Sequence, residues 1–178
     1  MADKMADDAG KLPAAGATVR LGLIVAVMAV LVDQVHKLWS IYGLGIGPHD
    51  RYALTPFFDV IYVLNRGISY GLFQMNSLRG QLFLAGFALV VAVVLVVWLV
   101  RGRHSRFVGT AIGLVIGGAV GNAIDRVHLG GVADFFSLHA FGYSWYIFNI
   151  ADVAIVAGII GLLYDSLILS RNGAAKRT

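Results

Sequence analysis

The chain has 178 residues, 58% of them hydrophobic and 13% charged, with a mean hydropathy of +0.79 and a formal net charge of +4. Soluble domains carry roughly 25% charged residues, so the composition argues against one and for a one-domain integral membrane protein. Cysteine and glutamate are both absent, which removes disulfides, thiol nucleophiles, thiolate metal sites and the HExxH zinc-protease motif. No basic stripe with interleaved aromatics is present, so no nucleic-acid partner is expected.

Residues 1–17, rich in Ala, Gly and Asp, read as a disordered tail. A spanning helix needs about 20 mainly apolar residues, and four segments qualify: about 19–39, 81–100, 107–124 and 148–169. The first is read as a retained helix rather than a cleaved signal, because no small-residue cleavage site follows it. Between the first two spans, the stretch 41–75 mixes β-branched, aromatic and polar residues around Pro56 and Gly67. It is too polar to span and reads as short strands on the outer membrane surface. The third span repeats glycine at Gly109, Gly113, Gly117 and Gly121, a smooth strip that lets another helix approach closely. The expected membrane domain covers 18–170, and 171–178 forms a second short tail.

Basic residues set the orientation. Lys4, Lys11 and Arg20, then Arg101, Arg103 and Arg106, then Arg171, Lys176 and Arg177 belong on one side, the cytoplasm. The longer connections, about 40–80 and 125–147, face outward. The polar residues then collect at one depth. Asp33 and Lys37 share a face at i,i+4 in the outward part of the first span. Asn122, Asp125 and Arg126 end the third span, Asn149 and Asp152 start the fourth, and Asp134 lies in the outer loop between those two spans. At 1.5 Å per residue, Asp152 is about 6 Å below the end of its helix. The inner halves of the spans are almost uncharged, Asp165 near the cytoplasmic end excepted.

Intramembrane ionisable residues are functional candidates by default, because a charge at the bilayer centre costs about 2.5–3.5 kcal/mol. Bland readings compete. Asp152 near a helix start suits the macrodipole as a cap, Asp33 with Lys37 reads best as a structural ion pair, and Asp125 can simply position Arg126. Yet a cluster of carboxylates also has a chemistry of its own. Two of them held about 3 Å apart share a proton, so that one activates water while the other donates to an amide. Spacing alone does not choose the pair among Asp33, Asp125, Asp134 and Asp152.

"DQVHK" (33–37), "NRG" (65–67), "GNAIDR" (121–126), "VADF" (132–135) and "FNIAD" (148–152) resemble, in order and spacing, the motifs of bacterial lipoprotein signal peptidase (signal peptidase II). The resemblance runs from the first span to the fourth. It implies an all-α integral membrane protein, four transmembrane helices with a small β-cradle and flap on the periplasmic side, in the bacterial inner membrane. It implies an aspartyl endopeptidase that removes the signal peptide from prolipoproteins by cutting before a diacylglyceryl-modified cysteine, with membrane lipid around the site, globomycin-type inhibition, and neither metal nor cofactor. By motif the catalytic aspartates fall on Asp134 and Asp152. Supporting positions fall on Asp33, Lys37, Asn65, Gly67, Asn122, Asp125, Arg126 and Asn149. The resemblance assigns Asn65 and Arg126 to substrate backbone and Asn122 and Asn149 to orienting the dyad. One departure is visible: Arg66-Gly67-Ile68-Ser69-Tyr70 stands where the family commonly has Thr-Gly-Ala-Ala-Phe.

A small proton-coupled transporter is the alternative, since membrane aspartates often relay protons; it calls for polar groups through the full depth or paired broken helices, and neither is seen. A non-enzymatic scaffold is a third class, with no need of the "VADF" and "FNIAD" aspartates. "GISYG" (67–71) matches a nucleophile elbow but has no α/β-hydrolase sheet to sit in. "GLGIG" (43–47) is followed by no βαβ unit. The histidines lack ligand spacing.

Overall fold

The computed structural model describes residues 15–48, 50–67 and 74–169. Residues 1–14 of the expected tail over 1–17, the expected tail over 171–178, and residues 68–73 of the expected flap, including Ile68, Ser69 and Tyr70, lie outside the described residues; residues 15–17 of the first tail already belong to a helix. Four helices are long and apolar enough to cross a membrane. They are α1 (Ala15–Leu38, continued by a π-helical turn Trp39–Gly43), α2 (Leu78–Arg101), α3 (Arg106–His128) and α4 (Ile150–Tyr164, continued by a π-helical turn Asp165–Leu169). Ser77 and Ser105 cap α2 and α3, accepting from Gly80 N and Val108 N, so each helix starts on a satisfied backbone donor.

α3 is the hub. In its apolar window 67% of residues are buried, against 11–22% in the other three, which leaves the outer helices to face lipid. The glycine strip makes this possible. A Cβ at Gly109 would meet Thr18, at Gly113 the carbonyl of Gly22, at Gly117 the carbonyl of Ala26 (2.5 Å), and at Gly121 the carboxylate of Asp33 (2.8 Å). All four glycines thus abut α1. On another side, Gly118 meets the Ala151 carbonyl and Gly158 of α4 meets the Ala111 carbonyl. The apolar core between the helices is Ala26, Ala92, Leu99, Val108, Ile112 and Ile116.

A four-stranded antiparallel sheet caps one end of the bundle, in the order β1 (Arg51–Thr55), β2 (Phe58–Asn65), β3 (Val132–Ala140), β4 (Tyr143–Phe148). The first two strands fall where the sequence predicts them. The other two occupy what reads as an outer loop, so Asp134 stands on an inner strand and not in a loop. The reason lies in burial: Val132, Ala133, Asp134 and Phe135 are all buried, so the alternation that marks a half-buried strand never appears. Phe135 stacks on Tyr62 of β2 (ring centroids 5.2 Å) and meets His36 of α1 edge-on (5.4 Å), which ties the sheet to the bundle. Phe141 and Gly142 turn the β3–β4 hairpin with φ of 53° and 80°, the sign that suits the strand twist of a tight hairpin. Asp59 of β2 accepts a hydrogen bond from Arg51 Nε of β1 (2.7 Å) and pairs with His139 Nε2 of β3 (2.9 Å), which ties these three strands together.

Candidate active site

The sheet register places the first contact. Val63 pairs with Asp134 and Asn65 with Val132, so Asn65 and Asp134 are diagonal neighbours on one face. Asn65 Nδ2 donates to Asp134 Oδ2 (3.1 Å) and to Tyr146 Oη (3.1 Å). Its own Oδ1 accepts from Gly67 N (3.0 Å), which fixes the amide's orientation. Pairing of Phe136 with Phe148 brings Asn149, the residue after β4, against Asp134 as well.

Asn149 then joins the two aspartates. Its side-chain Nδ2 donates to Asp134 Oδ1 (2.6 Å), and its backbone N donates to Asp152 Oδ2 (3.2 Å). Its Oδ1 accepts from Asp152 N (2.9 Å), completing a capping box at the start of α4. Asp152 Oδ1 accepts from Asn122 Nδ2 (2.9 Å), and Asn122 Oδ1 accepts from Asn149 Nδ2 (3.2 Å). The capping role of Asp152 therefore holds, but it occupies only one carboxylate oxygen. Arg126 donates to Asn122 O and to Gly67 O (3.1 Å each). Burial raises the Asp134 pKa to about 7, and the neighbouring Asp152 charge adds to the rise; hydrogen bonds from Asn149 and Asn65 oppose it.

Asp33, Lys37 and Asp125 form an adjoining cluster, all nearly inaccessible. Lys37 Nζ lies 2.8 Å from Asp33 and 2.6 Å from Asp125. Asp33 Oδ1 accepts from Ala151 N (2.9 Å), and Asp125 Oδ2 accepts from Ala133 N (3.1 Å). One ion-paired knot thus binds α1, α3, the start of β3 and the start of α4. The expected ion pair at i,i+4 is present, widened to a triad.

A cleft of about 850 Å³ opens beside Asp152. Its polar end is lined by Asn65, Asn122, Arg126, Tyr146 and Asp152. Its apolar walls come from α2 (Leu84, Phe87, Val91) and α4 (Val153, Val156, Ile160). Asp152 faces the cleft, while Asp134, 1% exposed, is buried behind it. No group of His, Asp or Glu among the described residues has the spacing of a metal site.

Three participants escaped the sequence reading. Gln34 donates to Asp33 (3.1 Å), Asp125 (2.9 Å) and Gly121 O (3.3 Å). Tyr146 accepts from Asn65 and lines the cleft. Gln81 reads as the edge of a span. The signal for Gln34 and Gln81 was available: an uncharged amide inside an apolar helix needs partners.

The family model for signal peptidase (SPase) II matches residues 25–168. This chain belongs to the signal peptidase II family. A lipoprotein signal peptidase of Rhodopseudomonas palustris is 47% identical over 154 residues, covering 84% of this chain and 93% of the relative. One from Methylobacterium radiotolerans is 48% identical over 148 residues, covering 83% and 86%. Two solved bacterial membrane enzymes, determined by the in meso method at 2.3 and 1.9 Å, superpose with a TM-score of 0.70 each, at 31% and 30% identity, covering 82% and 83% of this chain and 89% and 92% of theirs. As a signal peptidase II the protein is a multi-pass membrane peptidase that removes signal peptides from prolipoproteins.

Proposed function

We propose that this signal peptidase II is an aspartyl endopeptidase with Asp134 and Asp152 as its dyad, cutting its prolipoprotein before a diacylglyceryl-modified cysteine. The observation that carries the reading is the shared donor: one residue, Asn149, hydrogen-bonds both carboxylates, of which Asp152 lines the polar end of an otherwise apolar cleft and Asp134 is buried next to it. Asp152, at a helix N-terminus and with Asn122 Nδ2 and Asn149 N donating to it, is suited to the ionised role, since a carboxylate only accepts. Asp134, with its pKa raised to about 7, is suited to hold the shared proton.

In this reading the Asp152 carboxylate takes a proton from water as its oxygen attacks the scissile carbonyl carbon, and Asp134 gives its proton to the carbonyl oxygen. A C–O bond forms. Collapse of the tetrahedral intermediate breaks the C–N bond, Asp152 passes its proton to the leaving nitrogen, and Asp134 recovers its own. Arg126 and Asn65 hold substrate backbone at the polar end. The signal helix lies along the apolar walls, with the acyl chains in the bilayer. Asp33, Lys37 and Asp125 keep the layer rigid. The site sits near the periplasmic face of the inner membrane, both termini are cytoplasmic, and a globomycin-type cyclic peptide occupies the same cleft.

The test is cleavage of a lipidated prolipoprotein by purified protein in detergent or liposomes. Asp134→Asn and Asp152→Asn should each lower kcat by at least about 10²-fold, the low end of general acid–base contributions, while inserting normally. Normal maturation by either variant refutes the dyad.

A further inference from the structure

The Asn65–Gly67 corner carries much of the site: Asn65 touches Asp134, and Gly67 O accepts from Arg126. Something must hold that corner, because Arg66 and Gly67 follow the end of β2 and pair with no strand among the described residues. The structure supplies the holder from α2. Gln81 is 1% exposed, and its side-chain Nε2 donates to two carbonyls, Arg66 O (2.7 Å) and Met75 O (2.6 Å). Both partners are acceptors, so only the amide nitrogen can face them. Arg66 O also accepts from Met75 N (3.0 Å). The approach depends on Gly80, where a Cβ would come within 2.5 Å of Met75 Cβ. Gln81 Oε1, also buried, has no partner among the described residues. The side chain thus leaves one buried acceptor of its own unmatched while it satisfies two backbone carbonyls.

We propose that Gln81 is a positioning residue for the peptidase reaction: by fixing the carbonyls of Arg66 and Met75 to the start of α2, it sets Asn65 against Asp134 and Gly67 against Arg126. The proposal rests on the aspartyl reading above. It assigns Gln81 no contact with substrate; its effect passes through Asn65 and Gly67. A displacement of about 1 Å in such a support can cost on the order of 10²-fold in rate.

The experiment uses the full-length protein in liposomes with a lipidated prolipoprotein, and compares Gln81→Met, which keeps length and loses the donor, with Gln81→Glu, which keeps shape and, when ionised, only accepts. Both should lose about 10- to 100-fold in kcat with KM little changed. The alkaline limb of the pH profile should move upward, as it should in Asn65→Ala, because a hydrogen bond favouring ionised Asp134 is weakened. In an Asn65→Ala background, Gln81→Met should cost a smaller factor than in the wild type, since only the Gly67–Arg126 contact is then left to disturb. Wild-type kcat and an unmoved limb in both Gln81 variants overturn the proposal. So does a loss of activity that is the same factor in both backgrounds and tracks the loss of folded protein, since Gln81 then supports only the fold. Asp134→Asn and Asp152→Asn run alongside separate the two claims: if they are inactive while the Gln81 variants are normal, Gln81 alone fails; if they cleave normally, the dyad itself fails.

Discussion

At the scale of single residues, the site resolves an apparent conflict between capping and chemistry. Asp152 closes a capping box with one oxygen and faces Asn122 with the other, so the role that stabilises the helix also orients the carboxylate. Asn149→Ala should then be costlier than a surface cap. It removes about 1 kcal/mol of capping together with the bond to Asp134, and kcat should fall further than thermal stability alone predicts, read by cleavage rate beside an unfolding midpoint. The pH dependence follows from Asp134. Its proton is held up to about pH 7, above the usual carboxylate range, so the singly protonated pair that we propose would be lost as pH rises through that value. Cleavage should decline on the alkaline side near pH 7. The same raised pKa means that the folded chain binds this proton more tightly than the unfolded chain, so this group's contribution to stability falls as pH climbs towards 7. An activity profile flat from pH 6 to 9 contradicts this (a range bracketing the value of about 7).

At the scale of elements, α3 depends on what it lacks. Four glycines on one side let α1 approach, and Gly118 does the same for α4. Gly117→Val places atoms where Ala26 O now sits, and such overpacking typically costs about 1–3 kcal/mol; the unfolding midpoint in detergent should drop, and activity with it, since α1 carries Asp33 and Lys37. The ion triad is the electrostatic counterpart of that packing. Lys37→Met leaves Asp33 and Asp125 buried without their cation, a change that costs about 3–5 kcal/mol where a buried pair is broken. Loss of folded protein is the expected result, and replacement of all three residues by apolar ones should recover folding better than the single change does.

At the scale of the whole molecule, the protein separates an apolar half from a polar layer capped by a sheet, and we propose that its charges set its orientation in the membrane. With no native cysteine, single cysteines report sidedness cleanly. Tyr143→Cys on the sheet should react with an impermeant thiol reagent added from the periplasmic side, and Arg103→Cys between α2 and α3 should not; the reverse pattern overturns the inside location of both termini. The polar residues gather at one end, which fits a peptidase at an interface better than a transporter needing polarity through the full depth. Much of this was legible in the chain. Hydropathy alone located four spans to within a few residues, because a helix crossing lipid must be apolar over its length whatever it packs against. Glycine spacing announced a close helix approach along α3 for the same local reason, but not that α1 is the partner. The motifs named the polar residues. The β3–β4 hairpin was hidden, because a strand buried on both faces carries no alternation, and Gln81 and Tyr146 were hidden because their partners lie on other elements. The sequence by itself determined which segments enter the bilayer and which residues are too polar to stay there unpartnered, since both are transfer costs borne residue by residue. Only the tertiary structure decided which carboxylate meets which amide, since hydrogen bonds between β2, β3, β4 and the start of α4 depend on register and helix approach, and those are settled by packing among parts distant in the chain.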